Sequence, residues 1–184
     1  MMITRSIVLT FIMALSIGVF AQTKQVGKQV GKAAPSYNVQ PVHKSENVGW
    51  HVELDEAYEQ SKQTGKPIMA NFTGSDWCGW CKRLSAAVFQ KDEFKTWADD
   101  NVVLLELDFP RRTKLPEELQ RQNAGLQRAF KVRGFPTVWI FDLDKDAESG
   151  KYEISALGKT GYRPSATEFI SGVDQMLARA DQAK

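Results

Sequence analysis

Hydrophobic and polar residues are spaced so that they predict a series of helices and strands from about residue 50 onward. Short continuous apolar runs have the length and the branched or aliphatic residues of buried strands, whereas the segments between them have helical spacing or composition. In order, these elements are a helix at 52–65, a strand at 67–72, a helix at 78–97, a strand at 101–109, a helix at 115–130, a hairpin of strands at 136–142 and 151–158, and a helix at 164–180. This order predicts an α/β domain with a central mixed sheet flanked by helices.

Individual residues predict where some of these helices begin and end. Gly65 and Pro67 follow the first helix and should stop it. Ser165, with Glu168 three residues later, forms a capping box at the start of the last helix. A break near 91–92 interrupts the helix at 78–97.

The first 21 residues have the features of an export signal. Arg5 precedes the apolar segment "SIVLTFIMALSIGVF", which is shorter than the roughly 20 residues of a spanning helix. Val19 and Ala21 place small residues where a signal peptidase prefers them, so we expect cleavage before Gln22. The alternative is an uncleaved membrane anchor. We predict a signal peptide at 1–21, a periplasmic or secreted location, and no stable membrane insertion after cleavage.

The composition of the remaining chain indicates a tether followed by one folded domain. Residues 22–46 are polar, contain "QVGK" twice and lack an apolar period, which is typical of a flexible linker. The whole chain has 42% hydrophobic and 25% charged residues, as soluble globular proteins do. Its net charge of +2 gives no electrostatic footprint for nucleic acid, which we exclude as a partner.

The sequence contains two cysteines, Cys78 and Cys81, both within "GSDWCGWCKRL". As a structural crosslink they would close a very short loop, which stabilises a fold by only about 2 kcal/mol in the chain-entropy description. Tetrahedral zinc usually needs four ligands, and the remaining candidates, His43 and His51, have no recognised spacing with the thiols. A Cys-x-x-Cys that follows a strand and opens a helix is instead typical of redox chemistry. No metal or organic cofactor is implied.

The predicted position of Cys78 favours its ionised form. At a helix N-terminus, unpaired N–H groups and the helix dipole stabilise a thiolate by about 0.3 to 2 kcal/mol. That is enough to lower a thiol pKa from about 8.5 to about 7. Cys81, one turn deeper, should be more buried and less acidic. We therefore expect Cys78 to attack a substrate disulfide and Cys81 to resolve the mixed disulfide.

Two motifs in the same order, "WCGWC" and "VRGFPTVWIF", resemble the thioredoxin superfamily. More narrowly, "KPIMANFTGSDWCGWCKRL", "LDFPRR" and "GFPTVWIFD" resemble exported bacterial thioredoxin-like proteins of the disulfide-interchange type. The resemblance runs from about Trp50 to the C-terminus. It implies a thioredoxin fold at 47–184, with an N-terminal helical extension before the sheet.

The resemblance also implies where a substrate binds. In that family a cis-proline faces the cysteine pair, which matches Pro136, and the preceding residue, which matches Phe135, pairs through its backbone with the substrate. Trp77 and Trp80 flank the thiols and offer an apolar contact surface for unfolded protein substrates, although core packing is an alternative for Trp77. With Gly79, these are the predicted substrate-binding residues.

The sequence departs from the family pattern at two places. Thioredoxins commonly carry a buried aspartate where this chain has Asn71, and an amide cannot accept a proton. Deprotonation of Cys81 must then rely on water or on another carboxylate such as Asp76. Between the cysteines stand Gly79 and Trp80, with no cation, which argues against a strong oxidant.

These patterns predict a thiol-disulfide oxidoreductase that acts on protein disulfides outside the cytoplasm, as a reductase or interchange enzyme rather than as a dedicated oxidant. The alternatives are a disulfide oxidase or isomerase, and a thioredoxin-fold module that binds a partner without turnover. A reductase in that location needs a membrane-borne electron donor.

Overall fold

Four strands form one mixed sheet in the computed structural model, which describes residues 44–45 and 47–182. β1 pairs in parallel with β2 and antiparallel with β3, and β3 pairs antiparallel with β4 in the predicted hairpin. The mixed sheet predicted from the sequence is confirmed. In the spatial order β2-β1-β3-β4, the strands are β1 (Ile68–Thr73), β2 (Val103–Asp108), β3 (Thr137–Lys145) and β4 (Tyr152–Thr160).

The helices begin and end close to the predicted positions. Gly65, in the left-handed conformation at φ 71°, ends α1, and the N–H of Glu168 donates to Ser165 Oγ at 3.3 Å at the start of α5. The helix predicted at 78–97 is divided into α2, a π-helical turn over Ser85–Phe89, and α3. The five α-helices of the described residues are α1 (Leu54–Thr64), α2 (Gly79–Leu84), α3 (Asp92–Asn101), α4 (Glu117–Ala129) and α5 (Ala166–Gln182).

The predicted N-terminal segments lie almost entirely beyond the part of the chain that the structure describes. The signal peptide at 1–21 is wholly outside it, and of the tether at 22–46 only residues 44 and 45 are described. Within the described residues no helix combines the length and apolarity that a membrane crossing requires.

β1 lies in the interior of the domain with apolar clusters on both of its faces. All six of its residues are buried, as its mainly apolar run predicts, including the polar Asn71 and Thr73. Met69 packs on one face with residues of α2, α3 and α5, including Leu84 and Phe169. Phe72 packs on the opposite face with Leu107 and other residues of β2, β3 and α4. The sheet is therefore covered on both sides, and the end of β1 is held firmly in place.

Four connections meet at the edge of the sheet where β1 ends. β1 and β2 both end there, because they are parallel, and the antiparallel β3 begins there while β4 ends there. We call the residues of these connections the cysteine edge: 74–83, 109–115, 131–136 and 161–165. Both cysteines and the predicted substrate-binding residues lie in it.

Asp76 fastens the connection after β1 to the connection after β2. Its carboxylate accepts the backbone N–H groups of Arg111 at 3.0 Å, Arg112 at 2.6 Å and Thr113 at 3.0 Å. These bonds, that of Arg111 first, hold the pKa of the Asp76 carboxyl below its usual value.

Asp108, at the end of β2, makes the reciprocal connection. Its carboxylate accepts the backbone N–H of Ser75 at 2.8 Å and the hydroxyl of the same residue at 2.5 Å. The N–H of Phe109 donates in turn to the carbonyl of Thr73 at 2.9 Å. The two connections are thus joined from both sides.

We expect the substitution Asp76→Asn to lower the melting temperature by a few degrees near neutral pH. A lowered native pKa stabilises the fold above the unfolded pKa of about 3.9, and this stabilisation is lost as pH falls through the native pKa. The difference between wild type and variant, measured by circular dichroism from neutral to strongly acidic pH, should therefore shrink below about pH 4. The exposed Asp100→Asn is the control. A difference that is equally large in strong acid would contradict this account.

Candidate active site

The two cysteines form a disulfide at the point where β1 gives way to α2. Cys78 is the N-cap of α2, and Cys81 lies in the first turn of that helix. The backbone N–H of Cys81 donates to Cys78 Sγ at 3.2 Å, so the sulfur pairs with a helix N–H that has no carbonyl partner within the helix. The N–H of Cys78 donates to the carbonyl of Gly74 at 2.8 Å, which closes the turn before the helix. The predicted placement of the pair is confirmed.

The two cysteines are equally buried, which differs from the prediction. Cys78 and Cys81 each expose 5% of their surface, although Cys81 was expected to be the more buried. The reason is the covalent bond, because it holds Cys78 Sγ against Cys81 rather than toward solvent. In this oxidised form the two residues are exposed to the same small extent.

Trp77 is half-buried and held in place by four contacts. Its Nε1–H donates to the carbonyl of Phe109 at 2.8 Å, and its ring meets that of Phe135 edge to face with centroids 5.8 Å apart. The Arg111 guanidinium lies 3.8 Å from the ring centroid. Below the ring is Gly74, where a Cβ would stand only 2.5 Å from the indole. Trp77 is therefore a fixed wall of the site.

Trp80 is more open to solvent, with 54% of its surface exposed. Its ring meets Tyr162 at 5.0 Å between centroids, and the Arg83 guanidinium lies 4.7 Å from the ring centroid. Gly79, beside it, is exposed and has no atom within 4 Å of the place a Cβ would occupy. This part of the site has room for another chain.

The peptide bond between Phe135 and Pro136 is cis, as predicted from the resemblance. The Phe135 ring packs between Trp77 and Phe109, with its centroid 5.2 Å from that of Phe109. Pro136 is half-buried at the start of β3. The structure thus brings all five predicted substrate-binding residues together with the cysteines at the cysteine edge.

Asn71 is buried in β1, and its side-chain Oδ1 has no hydrogen-bond partner among the described residues. The neighbouring residue on β2 in the parallel register is Glu106, also buried, whose Oε2 accepts a bond from Asn47 Nδ2 at 2.8 Å. Ser85 donates to Asn47 Oδ1 at 2.8 Å. A buried carboxylate therefore lies on the strand beside Asn71.

Asp76 is poorly suited to take the proton of Cys81. Its three backbone bonds lower its pKa, so its carboxylate binds a proton less readily than an ordinary aspartate.

Sequence reasoning missed several residues of this site. Glu106 gave no signal because it stands in an apolar strand run, and Tyr162 gave none because it belongs to no motif. The stacked positions of Arg83 and Arg111 were missed for the same reason, although both flank quoted motifs. The alignment of the strand ends brings Tyr162 to Trp80 and Arg111 to Trp77, whereas Arg83 meets Trp80 within α2.

Comparison with known proteins identifies the family. A family model described as thioredoxin-like matches residues 49–142. The chain is 36% identical over 132 residues to the disulfide bond reductase DsbH of Chlamydia pneumoniae, a match that spans 71% of this chain and 74% of that protein.

Solved structures give the same assignment. A DsbH oxidoreductase structure shares 34% sequence identity and a TM-score of 0.60, covering 76% of this chain and 94% of the other. A thioredoxin from Thermus thermophilus, at 19% identity and a TM-score of 0.50, covers 71% of this chain and 88% of its own and shows the fold alone. The chain therefore belongs to the thioredoxin-like family, as a thiol-disulfide oxidoreductase with a Cys78–Cys81 disulfide.

Proposed function

We propose that this protein reduces or interchanges the disulfides of protein substrates outside the cytoplasm, with Cys78 as nucleophile and Cys81 as resolving thiol. The observation that carries the proposal is the position of Cys78 at the N-cap of α2, where its sulfur accepts the N–H of Cys81. In the reduced protein the same N–H favours a thiolate over a thiol at Cys78.

The reaction begins from the dithiol form. The Cys78 thiolate attacks one sulfur of a substrate disulfide, an S–S bond forms between them, and the other substrate sulfur leaves as a thiolate and takes up a proton. Cys81, as thiolate, then attacks Cys78 Sγ and releases the second substrate sulfur. Two electrons pass to the substrate, and the protein is left with the Cys78–Cys81 disulfide of this structure.

Substrate binds, in this proposal, across the open part of the cysteine edge. Trp80 offers exposed aromatic surface, and the space around Gly79 lets a chain approach the sulfurs. Phe135, beside Pro136, supplies backbone groups for pairing with the substrate. Trp77 forms one side of this substrate-binding surface, since contacts with Phe135 and Arg111 hold its ring in place.

Two observations favour reduction of the substrate disulfide over oxidation of substrate thiols. The dipeptide Gly79-Trp80 itself contains no cation to stabilise the dithiol form, which is the property of oxidants, and the guanidinium groups of Arg83 and Arg111 lie over the rings of Trp80 and Trp77. The Chlamydia relative is named a disulfide bond reductase.

Export and a donor complete the proposal. The charged and apolar start of the sequence supports a signal peptide at 1–21 and a periplasmic or secreted location. A reductase there needs a membrane-borne donor to restore its dithiol.

A second candidate function is a binding module that holds a partner without turnover. The observation that favours it is Asn71, an amide at the place where a carboxylate would assist the resolving thiol.

We expect Cys78→Ser to abolish reduction of insulin disulfides, because no second nucleophile stands at the N-cap. Cys81→Ser should still make the first attack but not resolve it, so the mixed disulfide accumulates. Turbidity follows the reduction, and mass spectrometry under non-reducing conditions follows the adduct. If the Cys78→Ser variant supports the cellular function as well as wild type does, the binding module is the correct function.

We expect the Cys78–Cys81 couple to have a reduction potential of about −270 mV or lower, in the range of thioredoxin. Equilibration in dithiothreitol or glutathione buffers, followed by tryptophan fluorescence on the mature chain, measures it. A value near −120 mV, that of a strong oxidant, would overturn the reductase proposal.

We expect Gly74→Ala to displace the Trp77 indole, because a Cβ at this position stands 2.5 Å from the ring. Overpacking of this kind costs about 1 to 3 kcal/mol of folding stability, and the displaced wall should also slow insulin reduction. Gly172→Ala is the matched control, since nothing lies within 4 Å of its Cβ and alanine favours a helix. Equal stability and activity in the two variants would contradict the role given to Trp77.

A further inference from the structure

Charge is distributed very unevenly between the cysteine edge and the rest of the domain. Residues 47–182 contain 18 lysines and arginines and 21 acidic residues. The cysteine edge alone contains eight of those cations, all of them exposed, but only one of the acids, Asp76. The remainder of the domain has ten cations and twenty acids. Within residues 47–182, the end that carries the disulfide is positive and the remainder is negative.

The positive charge of this edge is not cancelled locally. The one carboxylate, Asp76, already accepts three backbone N–H groups. In the described part of the chain the ion pairs within 4.0 Å involve His51, Lys62 and Lys95, none of which lies in the cysteine edge. A partner that approaches the disulfide therefore meets a net positive field, since eight cations of the cysteine edge outnumber Asp76 within it and Asp108 at its border.

Two of these cations lie over the tryptophans of the cysteine motif. Arg111 lies over the ring of Trp77, which precedes Cys78, and Arg83 lies over the ring of Trp80, which precedes Cys81. Stacking on an aromatic ring orients a guanidinium without using its N–H groups, which lie in its plane and can bind a carboxylate in bidentate fashion. Trp77 and Trp80 therefore each hold one guanidinium group in an orientation that leaves its N–H groups available to a carboxylate.

A hollow beside Arg111 has space for an acidic segment. It has a volume of about 480 Å³ and is lined by Arg111, Arg112 and Lys114 from the connection after β2 and by Gln120 and Asn123 from α4. Asp108 also lines it, and the carboxylate of Asp108 accepts two hydrogen bonds from Ser75, so one acid stands among three cations.

We propose that the cysteine edge selects protein substrates that carry acidic residues beside their reactive cysteine, and that Arg83 and Arg111 bind those carboxylates. The inference rests on the proposed function, since it names the substrate class of the same disulfide. A protein is the partner that fits, because the ligand must bring its own disulfide to Cys78 between the two tryptophans that carry Arg83 and Arg111. An anionic membrane surface would use the charge but not the two fixed positions.

The test compares two model peptides that contain the same disulfide, one with aspartates beside its cysteines and the other with asparagines. We expect the dithiol form of the full protein to reduce the acidic peptide at least about tenfold faster, as kcat/KM, at low ionic strength. High salt should remove most of that preference. Equal rates for the two peptides would overturn the inference, provided that both are reduced.

Variants identify the residues responsible. The double substitution Arg83→Gln and Arg111→Gln should remove most of the preference, whereas the corresponding lysine variants keep the charge and retain part of it. Lys151→Gln, an exposed cation in the hairpin turn away from the cysteine edge, should leave the preference unchanged. Because the ratio between peptides is compared, a general loss of activity through a looser Trp77 does not mimic the result. A ratio that survives the double substitution would contradict the assignment.

A binding measurement separates this inference from the proposed function. Peptides with serine in place of cysteine are titrated into the oxidised protein, and tryptophan fluorescence reports binding at Trp80. Tighter binding of the acidic peptide with no reduction of either disulfide peptide would reject the proposed function and support the charge selection. No difference in binding, or binding only to phosphatidylglycerol vesicles, would reject the selection.

Discussion

The complete burial of β1 is the constraint on which the rest of this structure depends. The strand is covered on both faces, so neither its register nor the direction in which it ends can change without exposing one of two apolar clusters. Cys78 lies five residues beyond the end of β1, so the packing that fixes the strand also limits where Cys78 can lie. A disulfide couple needs this, because exchange proceeds only when the attacking and leaving sulfurs are aligned.

Hydrogen bonds at the cysteine edge hold the loops after β1 and β2 in place, as the apolar core holds the strands. Asp76 and Asp108 each reach from one connection to the other, and together they satisfy backbone groups that a loop would otherwise leave to solvent. The hydrogen bonds of Asp76 also lower the pKa of its carboxyl, which makes the carboxylate a weaker base. Rigidity of the loop and basicity of Asp76 are therefore in competition, and the structure favours rigidity.

Much of the fold was predictable because its signals are local. Apolar runs of strand length predicted β1 and β2, and two segments around a polar turn predicted the hairpin of β3 and β4. Gly65 and Ser165 marked helix ends with the residue types that those positions require. The cis bond before Pro136 came from the resemblance rather than from any local preference. The prediction that Cys81 is more buried than Cys78 was wrong, because helix position was considered without the covalent bond that joins them.

What could not be predicted depends on contacts between distant segments. Tyr162 reaches Trp80, and Arg111 reaches Trp77, only because β4 and β2 end at the same edge as β1. The whole-chain net charge of +2 gave no sign of the uneven charge distribution, because it combines a positive cysteine edge, a negative remainder of residues 47–182 and the residues outside that range. The field that a partner meets depends on this distribution and not on the sum. An exchange enzyme gains from such a field because complementary charge speeds and orients encounter more than it tightens the complex, so the product can still leave.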